Sequence, residues 1–380
     1  MRRREFLKLL PAGGLLAVSS HLAFAAADFR RLLVLVELKG GNDGLNTVVH
    51  YGDPRYAELR PRLAVHRDQV LPLDGRRGLH PSLEPLMGMW RAGELAVVES
   101  VGYPQPNLSH FRSIEIWDTG SGSHEYLHGG WLARVFAHQP VPPGFIADGV
   151  LLGSSDPGPL TGARAIALSD PAQFRRQSRL AQPGELEGNA GLRHVLKVES
   201  DVAKAAANLE SPVVLTTSFP KGPFGDAVRT GCGIVAAGGI AVLRLTLNGF
   251  DTHQNQAGLH ANLLRQLADG LLALRSGLVE LNRWQDTLVM TYAEFGRRAR
   301  ENQSGGTDHG TAAPHFVLGG RVRGGLYGSP PALDRLDGNG NLPFAVDFRS
   351  LQAMAVERWW GLPGYLGPGA KLRPLDLLRA

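Results

Sequence analysis

The chain has 380 residues, 43% of them hydrophobic and 48 of them glycine, which is enough apolar material for one large folded body rich in tight turns. Its formal charge of +5 sits mostly at the N-terminus: residues 1–26 hold four of the 40 Lys/Arg and one of the 35 Asp/Glu, which leaves 36 basic against 34 acidic groups. That near-neutral remainder excludes a nucleic-acid partner on charge grounds, and the single cysteine, Cys232, excludes an intrachain disulfide framework.

In chain order, Arg3-Arg4-Glu5-Phe6-Leu7-Lys8 reads as a twin-arginine export signature. The apolar stretch Leu9 to Val18 and the small residues up to Ala26 complete a signal peptide over 1–26. The stretch is too short and glycine-rich for a stable membrane span. The expected location is therefore the periplasm or the exterior, with the twin-arginine translocase as a partner during export.

Residues 27–380 are expected to form a single domain. Leu32 to Leu38 is a nearly continuous apolar run, the pattern of a buried parallel strand. It ends in Gly40-Gly41-Asn42-Asp43-Gly44, where Asp43 offers a carboxylate to a hard or borderline cation and Asn42 stands beside it as a substrate-binding candidate. A second strand, Leu95 to Val101, precedes Asn107-Leu108-Ser109-His110-Phe111-Arg112. There Ser109 is a candidate nucleophile as well as a helix N-cap, and His110 or Arg112 would bind an anionic substrate.

The segment His124 to Trp131 reads as a pocket rim, and about 140–190 as a cap or insertion rich in Pro, Gly and Ser. A surface helix is expected over Leu192 to Leu209. The third strand, Ile240 to Leu247, ends in Asp251-Thr252-His253, both outer residues being candidate metal ligands. A long helix from about Gln254 to Asn282 presents Leu259, Leu263, Leu264, Leu267, Leu271, Leu274 and Leu278 on one face. His260 on that helix is either a further ligand or a plain polar residue; if it and His253 shared one helix they would stand roughly 10 Å apart. The fourth strand, Thr287 to Tyr292, is followed by Glu294, a ligand or general base, and by Arg297 and Arg298, whose forked donors suit an oxyanion. The loop Gly306-Thr307-Asp308-His309-Gly310 adds Asp308 and His309 ahead of a fifth strand, His315 to Leu318.

Strands alternating with helices predict a three-layer α/β/α fold with a mostly parallel central sheet, and in such sheets ligands sit beyond the carboxyl ends of the strands. Each polar motif follows a strand except Asp308-His309, which precedes one.

Taken in order, the leader, the Gly-Gly-Asn-Asp43 loop, Ser109-His110-Phe, Gly-Gly130-Trp, Phe-Asp251-Thr-His253, Glu294-Phe-Gly-Arg297-Arg and Gly-Thr-Asp308-His309-Gly resemble a bacterial exported family. That family is catalogued as a domain of unknown function, number fifteen-oh-one, and resembles a divergent branch of the alkaline phosphatase and sulfatase superfamily. The resemblance implies an alkaline-phosphatase-like fold and a metal-dependent hydrolase of phosphate or sulfate esters. Its substrate would be a small-molecule or polysaccharide ester. Asp43, Asp251, His253, His260, Glu294, Asp308 and His309 would form the metal set, Ser109 and Arg297 the catalytic pair, and Asn42, His110, Arg112 and Arg298 the substrate contacts. It also implies one or two divalent ions, zinc first and calcium, magnesium or manganese as alternatives. Glu294-Phe295-Gly296 stands where the superfamily has Asp-His-Gly, so one imidazole of a two-metal set is missing. Two other readings compete: a catalytically degenerate anion- or carbohydrate-binding protein on the same scaffold, and a Ser-His esterase. The esterase lacks a nucleophile after the first strand and has the wrong Asp-to-His spacing.

Overall fold

The computed structural model describes residues 27–168, 214–362 and 372–379. The signal peptide, the expected helix at 192–209 and residues 169–190 of the expected cap lie outside these.

The strands are β1 (Leu32–Lys39), β2 (Val48–Val49), β3 (Leu71–Pro72), β4 (Gly78–Leu79), β5 (Leu95–Gly102), β6 (Gly149–Leu152), β7 (Ala165–Leu168), β8 (Val242–Asn248), β9 (Thr287–Tyr292), β10 (Ala313–Leu318), β11 (Gly325–Gly328) and β12 (Val346–Asp347). Among the described residues, nine of them form one sheet in the order β11-β5-β10-β9-β1-β8-β6-β7, with β12 paired to β5; β2, β4 and β3 form a small separate sheet. All neighbours in the large sheet are parallel except β10, which runs antiparallel to both β5 and β9.

The five expected strands are all present. The described part of the expected cap corrects that expectation: residues 149–152 and 165–168 are strands of the central sheet itself, the first lying between β8 and the second, the second at the edge. They are four residues long, so their period is too short to stand out.

Strand β1 shows why there are three layers. Leu32, Val34, Val36 and Leu38 pack into the core on one face, and Leu33 and Leu35 into the core on the other. A strand alternates its side chains between faces, so an uninterrupted apolar run fills both.

The helices are α1 (Gly44–Thr47), α2 (Pro54–Leu59), α3 (Met87–Arg91), α4 (His110–Thr119), α5 (Trp131–His138), α6 (Pro223–Ala237), α7 (Gln256–Glu280) and α8 (Arg349–Ala353). The long helix α7 buries Leu263, Leu264, Leu267, Leu271, Leu274 and Leu278. Leu259, expected on the same face, is 54% exposed in the first turn. Trp131, expected at a pocket rim, is buried in the core as the first residue of α5. No helix among the described residues is long and apolar enough to cross a membrane.

The antiparallel direction of β10 decides the placement of the site. The carboxyl ends of β1, β5, β8 and β9 lie on one edge of the sheet. The amino end of β10 lies on that edge as well, so the loop carrying Asp308 and His309 reaches the same place by preceding its strand.

Candidate metal centre

Five loops converge at this edge. Gly40 has φ +118°, and a Cβ there would lie 2.3 Å from the backbone nitrogen of Asp251; one at Gly306 would lie 2.2 Å from the carbonyl carbon of His253. Both glycines therefore let the β1 and β10 loops press against the β8 loop.

Asp251 is the focus. Its Oδ1 lies 3.0 Å from His253 Nε2 and 3.3 Å from His309 Nε2, and its Oδ2 lies 3.5 Å from His110 Nε2. His253 Nε2 and His309 Nε2 are 2.9 Å apart. The opposite nitrogen of each ring is held from behind. His110 Nδ1 meets Glu294 Oε1 at 2.8 Å, His309 Nδ1 meets the Leu108 carbonyl at 2.9 Å, and His253 Nδ1 faces Asp308 Oδ1 at 3.6 Å. Phe295 supports two of the rings, with centroids 4.9 Å from His110 and 4.5 Å from His309.

This arrangement fits a divalent cation. A ligating histidine usually fixes its second nitrogen against a carboxylate or carbonyl, which leaves the first free for the ion. His110, Asp251 and His309 offer ligand atoms that all lie within 4.8 Å of one another, and His253 adjoins two of them. Ligands about 2.0–2.1 Å from a tetrahedral zinc would stand roughly 3.3 Å apart, close to the separations found here.

Electrostatics favour an ionised Asp251. Burial alone would raise the Asp251 carboxyl, but the hydrogen bond and charge of Arg297, with His253, hold it below the ordinary carboxylate range. The hydrogen bond that His110 donates to Glu294 raises His110 above the ordinary histidine value against the effect of burial. Burial lowers His309.

The other expected ligands are elsewhere. Asp43 is 0% exposed and takes both arms of Arg60, Nη1 to Oδ2 at 2.5 Å and Nη2 to Oδ1 at 2.8 Å; Gln256 Nε2 donates to Oδ2 as well. Arg60 outweighs the raising effect of burial, so Asp43 stays ionised as an ion-pair partner, not a metal ligand. His260 is buried on α7 and donates from Nε2 to Asn42 Oδ1 at 2.8 Å. Burial lowers it to about 4. Asn42 is 1% exposed and bonded to Thr47 as well, so it faces protein rather than substrate. Glu294 Oε1 accepts from Gly40 N at 2.9 Å and orients His110, while its Oε2 is buried with no hydrogen-bond partner among the described residues. Asp308 stands behind His253 as its ionic neighbour.

Two arginines change role. Arg297 is 1% exposed and donates to the carbonyls of Gly40, Gly41, Phe250 and Thr307 and to Asp251 Oδ1 at 2.7 Å. It positions Asp251, and its side chain is fully buried away from any substrate. Arg112 donates to the carbonyls of Gly122, Ser123 and Glu125, pairs with Glu115 and packs on Tyr126. Arg298 keeps a part-exposed guanidinium 3.8 Å from Asp308. Ser109 is exposed at the head of α4, and its side chain makes no cap hydrogen bond. It lies between Leu108, which anchors His309, and His110. Arg60, Gln256 and Phe295 were not marked by the sequence reading; a buried Arg paired across 17 residues carries no local signature.

A family model described as "Protein of unknown function (DUF1501)" matches residues 75–336. No curated protein matches the sequence. Similar solved structures include the phosphonate monoester hydrolase SpPMH from Silicibacter pomeroyi, at 13% identity and TM-score 0.43 over 90% of this chain and 76% of that one. Ps i-CgsB is similar at 12% identity and TM-score 0.42, over 87% and 72%. A protein in the alkaline phosphatase superfamily from Vibrio parahaemolyticus is similar at 12% identity and TM-score 0.34, over 78% and 62%. These are loose likenesses of fold.

Proposed function

The chain belongs to the DUF1501 family, and we propose that it is a metal-dependent hydrolase of phosphate or sulfate esters, exported by the twin-arginine route. The observation that supports this most is the convergence of three Nε2 atoms on Asp251, with each Nδ1 facing an oxygen behind it. His110, Asp251 and His309 would hold the ion with His253 at its side, a donor set suited to zinc. When bound, such an ion polarises the ester and stabilises charge on the attacking and leaving oxygens. The set supports one ion, because Asp43 and His260 are engaged with protein partners.

Ser109 is the proposed nucleophile. It heads a helix of ten residues, whose first backbone N–H groups favour an anion, and its hydroxyl is not used as a cap. Arg298 is the remaining cation beside the site, while Arg297 and Glu294 orient Asp251 and His110. A small-molecule or polysaccharide ester is the substrate class proposed.

The test is metal analysis of the purified protein together with turnover of aryl phosphates and sulfates. The expected result is about one ion per chain, lost in Asp251→Ala. Ser109→Ala should keep the metal and lose turnover. Protein without stoichiometric metal would sink the reading. The degenerate binding protein gains some support from the engagement of both Arg112 and Arg297. It predicts bound metal, no turnover, and ligand binding unaffected by Ser109→Ala.

A further inference from the structure

Of the three imidazoles at this centre, His253 has the weakest support behind its ring. His110 Nδ1 and His309 Nδ1 meet acceptors at 2.8 and 2.9 Å, whereas His253 Nδ1 faces Asp308 Oδ1 at 3.6 Å, beyond hydrogen-bond reach. Its side chain is also the most open, 42% exposed against 34% for His110 and 23% for His309. Yet its Nε2 stands 3.0 Å from Asp251 Oδ1 and 2.9 Å from His309 Nε2. The backbone that carries the ring must therefore be held in place.

Asn302 holds it from the neighbouring loop. Its Nδ2 donates to the His253 carbonyl at 2.9 Å and to Asp308 Oδ1 at 3.1 Å, one N–H for each. A single amide thus fixes both the backbone under the ring and the carboxylate behind it. On its other side, Oδ1 accepts from Ser304 N at 2.9 Å and from Gly306 N at 3.0 Å. Two acceptors facing one end of the amide and two N–H donors facing the other settle which way it points. The turn so closed lies against the same backbone: Thr307 N donates to the Thr252 carbonyl at 3.3 Å, and a Cβ at Gly306 would lie 2.4 Å from the His253 carbonyl oxygen.

We propose that Asn302 is the positioning residue that admits His253 to the metal centre as a donor beside His110, Asp251 and His309. This rests on the metal site of the hydrolase reading above and not on its turnover. Zinc expands to five ligands, so an ester oxygen still has a place.

Competitive chelator titration of zinc against the full-length protein, run as a double-mutant cycle, tests the assignment. Asn302→Ala and His253→Ala should each weaken zinc by about 10-fold or more. Asn302→Ala should cost nothing further in the His253→Ala background, because it acts through that ring. Arg62 grips the outside of the same loop, donating to the Asn302 and Gln303 carbonyls at 2.6 and 3.3 Å, and Arg62→Ala should keep the wild-type affinity. If Asn302→Ala does not fold, Asn302→Ser takes its place in the cycle: its hydroxyl keeps the turn at Ser304 but is too short to reach both His253 and Asp308. Additive losses, or wild-type affinity in either single variant, overturn the proposal. So does an equal loss in Arg62→Ala, which would make loop order alone the cause. Protein that binds zinc but turns over no ester removes the hydrolase reading and leaves Asn302 in its role; a wild type that binds no zinc removes both.

Discussion

Two clusters at the same sheet edge are built from the same residue types and end in opposite states. One is Asp43 with Arg60, Gln256, Asn42 and His260; the other is Asp251 with Arg297, His110, His253 and His309. In the first, Arg60 places one donor on each oxygen of Asp43, and His260 is tied to Asn42. In the second, Arg297 gives Asp251 a single donor and the rest of its fork to backbone carbonyls. Three imidazole nitrogens face the remaining lone pairs. The Asp251 carboxylate is thus left open to a cation because the arginine beside it is mostly occupied elsewhere. A bidentate guanidinium closes a carboxylate; a monodentate one orients it and leaves it open.

The sharpest way to break this comparison is to remove the closing arginine. Arg60→Ala leaves the fully buried Asp43 carboxylate without its counter-ion, and losing one partner of a buried pair costs about 3–5 kcal/mol. Denaturant unfolding should show that loss, while the folded fraction keeps its metal stoichiometry. The double variant Asp43→Asn with Arg60→Met should recover part of the stability. If Arg60→Ala instead created a second metal equivalent, Asp43 would be a latent ligand and the two clusters would not differ in kind.

The sequence carries the outline of this arrangement, though not its wiring. The five long strands are legible because strands buried on both faces read as continuous apolar runs, as Leu32 to Leu38 does. The direction of β10 is not legible, since a strand looks alike in either sense. That single fact explains why Asp308-His309, which precedes a strand, meets loops that follow theirs. Asp251, His253 and His309 are marked by residue type and place. His110 reads as a substrate contact from Ser-His-Phe, and only its pairing with Glu294, 184 residues away, turns it towards Asp251. Asp43 and His260 look like ligands for the same reason that Asp251 does. What engages them instead is partner choice, Arg60 for Asp43 and Asn42 for His260, on which spacing has no bearing.

A smaller effect sharpens the comparison from the open side. Glu294 supports His110 through one oxygen, so Glu294→Gln keeps the shape and weakens the acceptor. Zinc affinity should fall by about 10- to 100-fold, the usual cost of altering a residue behind a ligating histidine. A competitive chelator titration measures it. Unchanged affinity would mean that His110 lies outside the ligand set, leaving His253 with Asp251 and His309.

The smallest expected effect belongs to the closed side and appears only in acid. His260 is lowered by burial to about 4 from an unfolded value of 6.5, so between those values the unfolded chain binds a proton that the folded chain refuses. Stability is then full above pH 6.5 and is lost as the pH falls towards 4. From pH 7 to 6 the loss from this one residue is under about 1 kcal/mol, and it grows at lower pH. His260→Gln keeps a donor for Asn42 and removes the titration. Its unfolding midpoint should therefore vary less between pH 7 and 5 than that of the wild type, whatever its starting stability. Parallel pH profiles for the two proteins would show that His260 takes up its proton without unfolding, and that the closed cluster is more accessible to water than its packing implies.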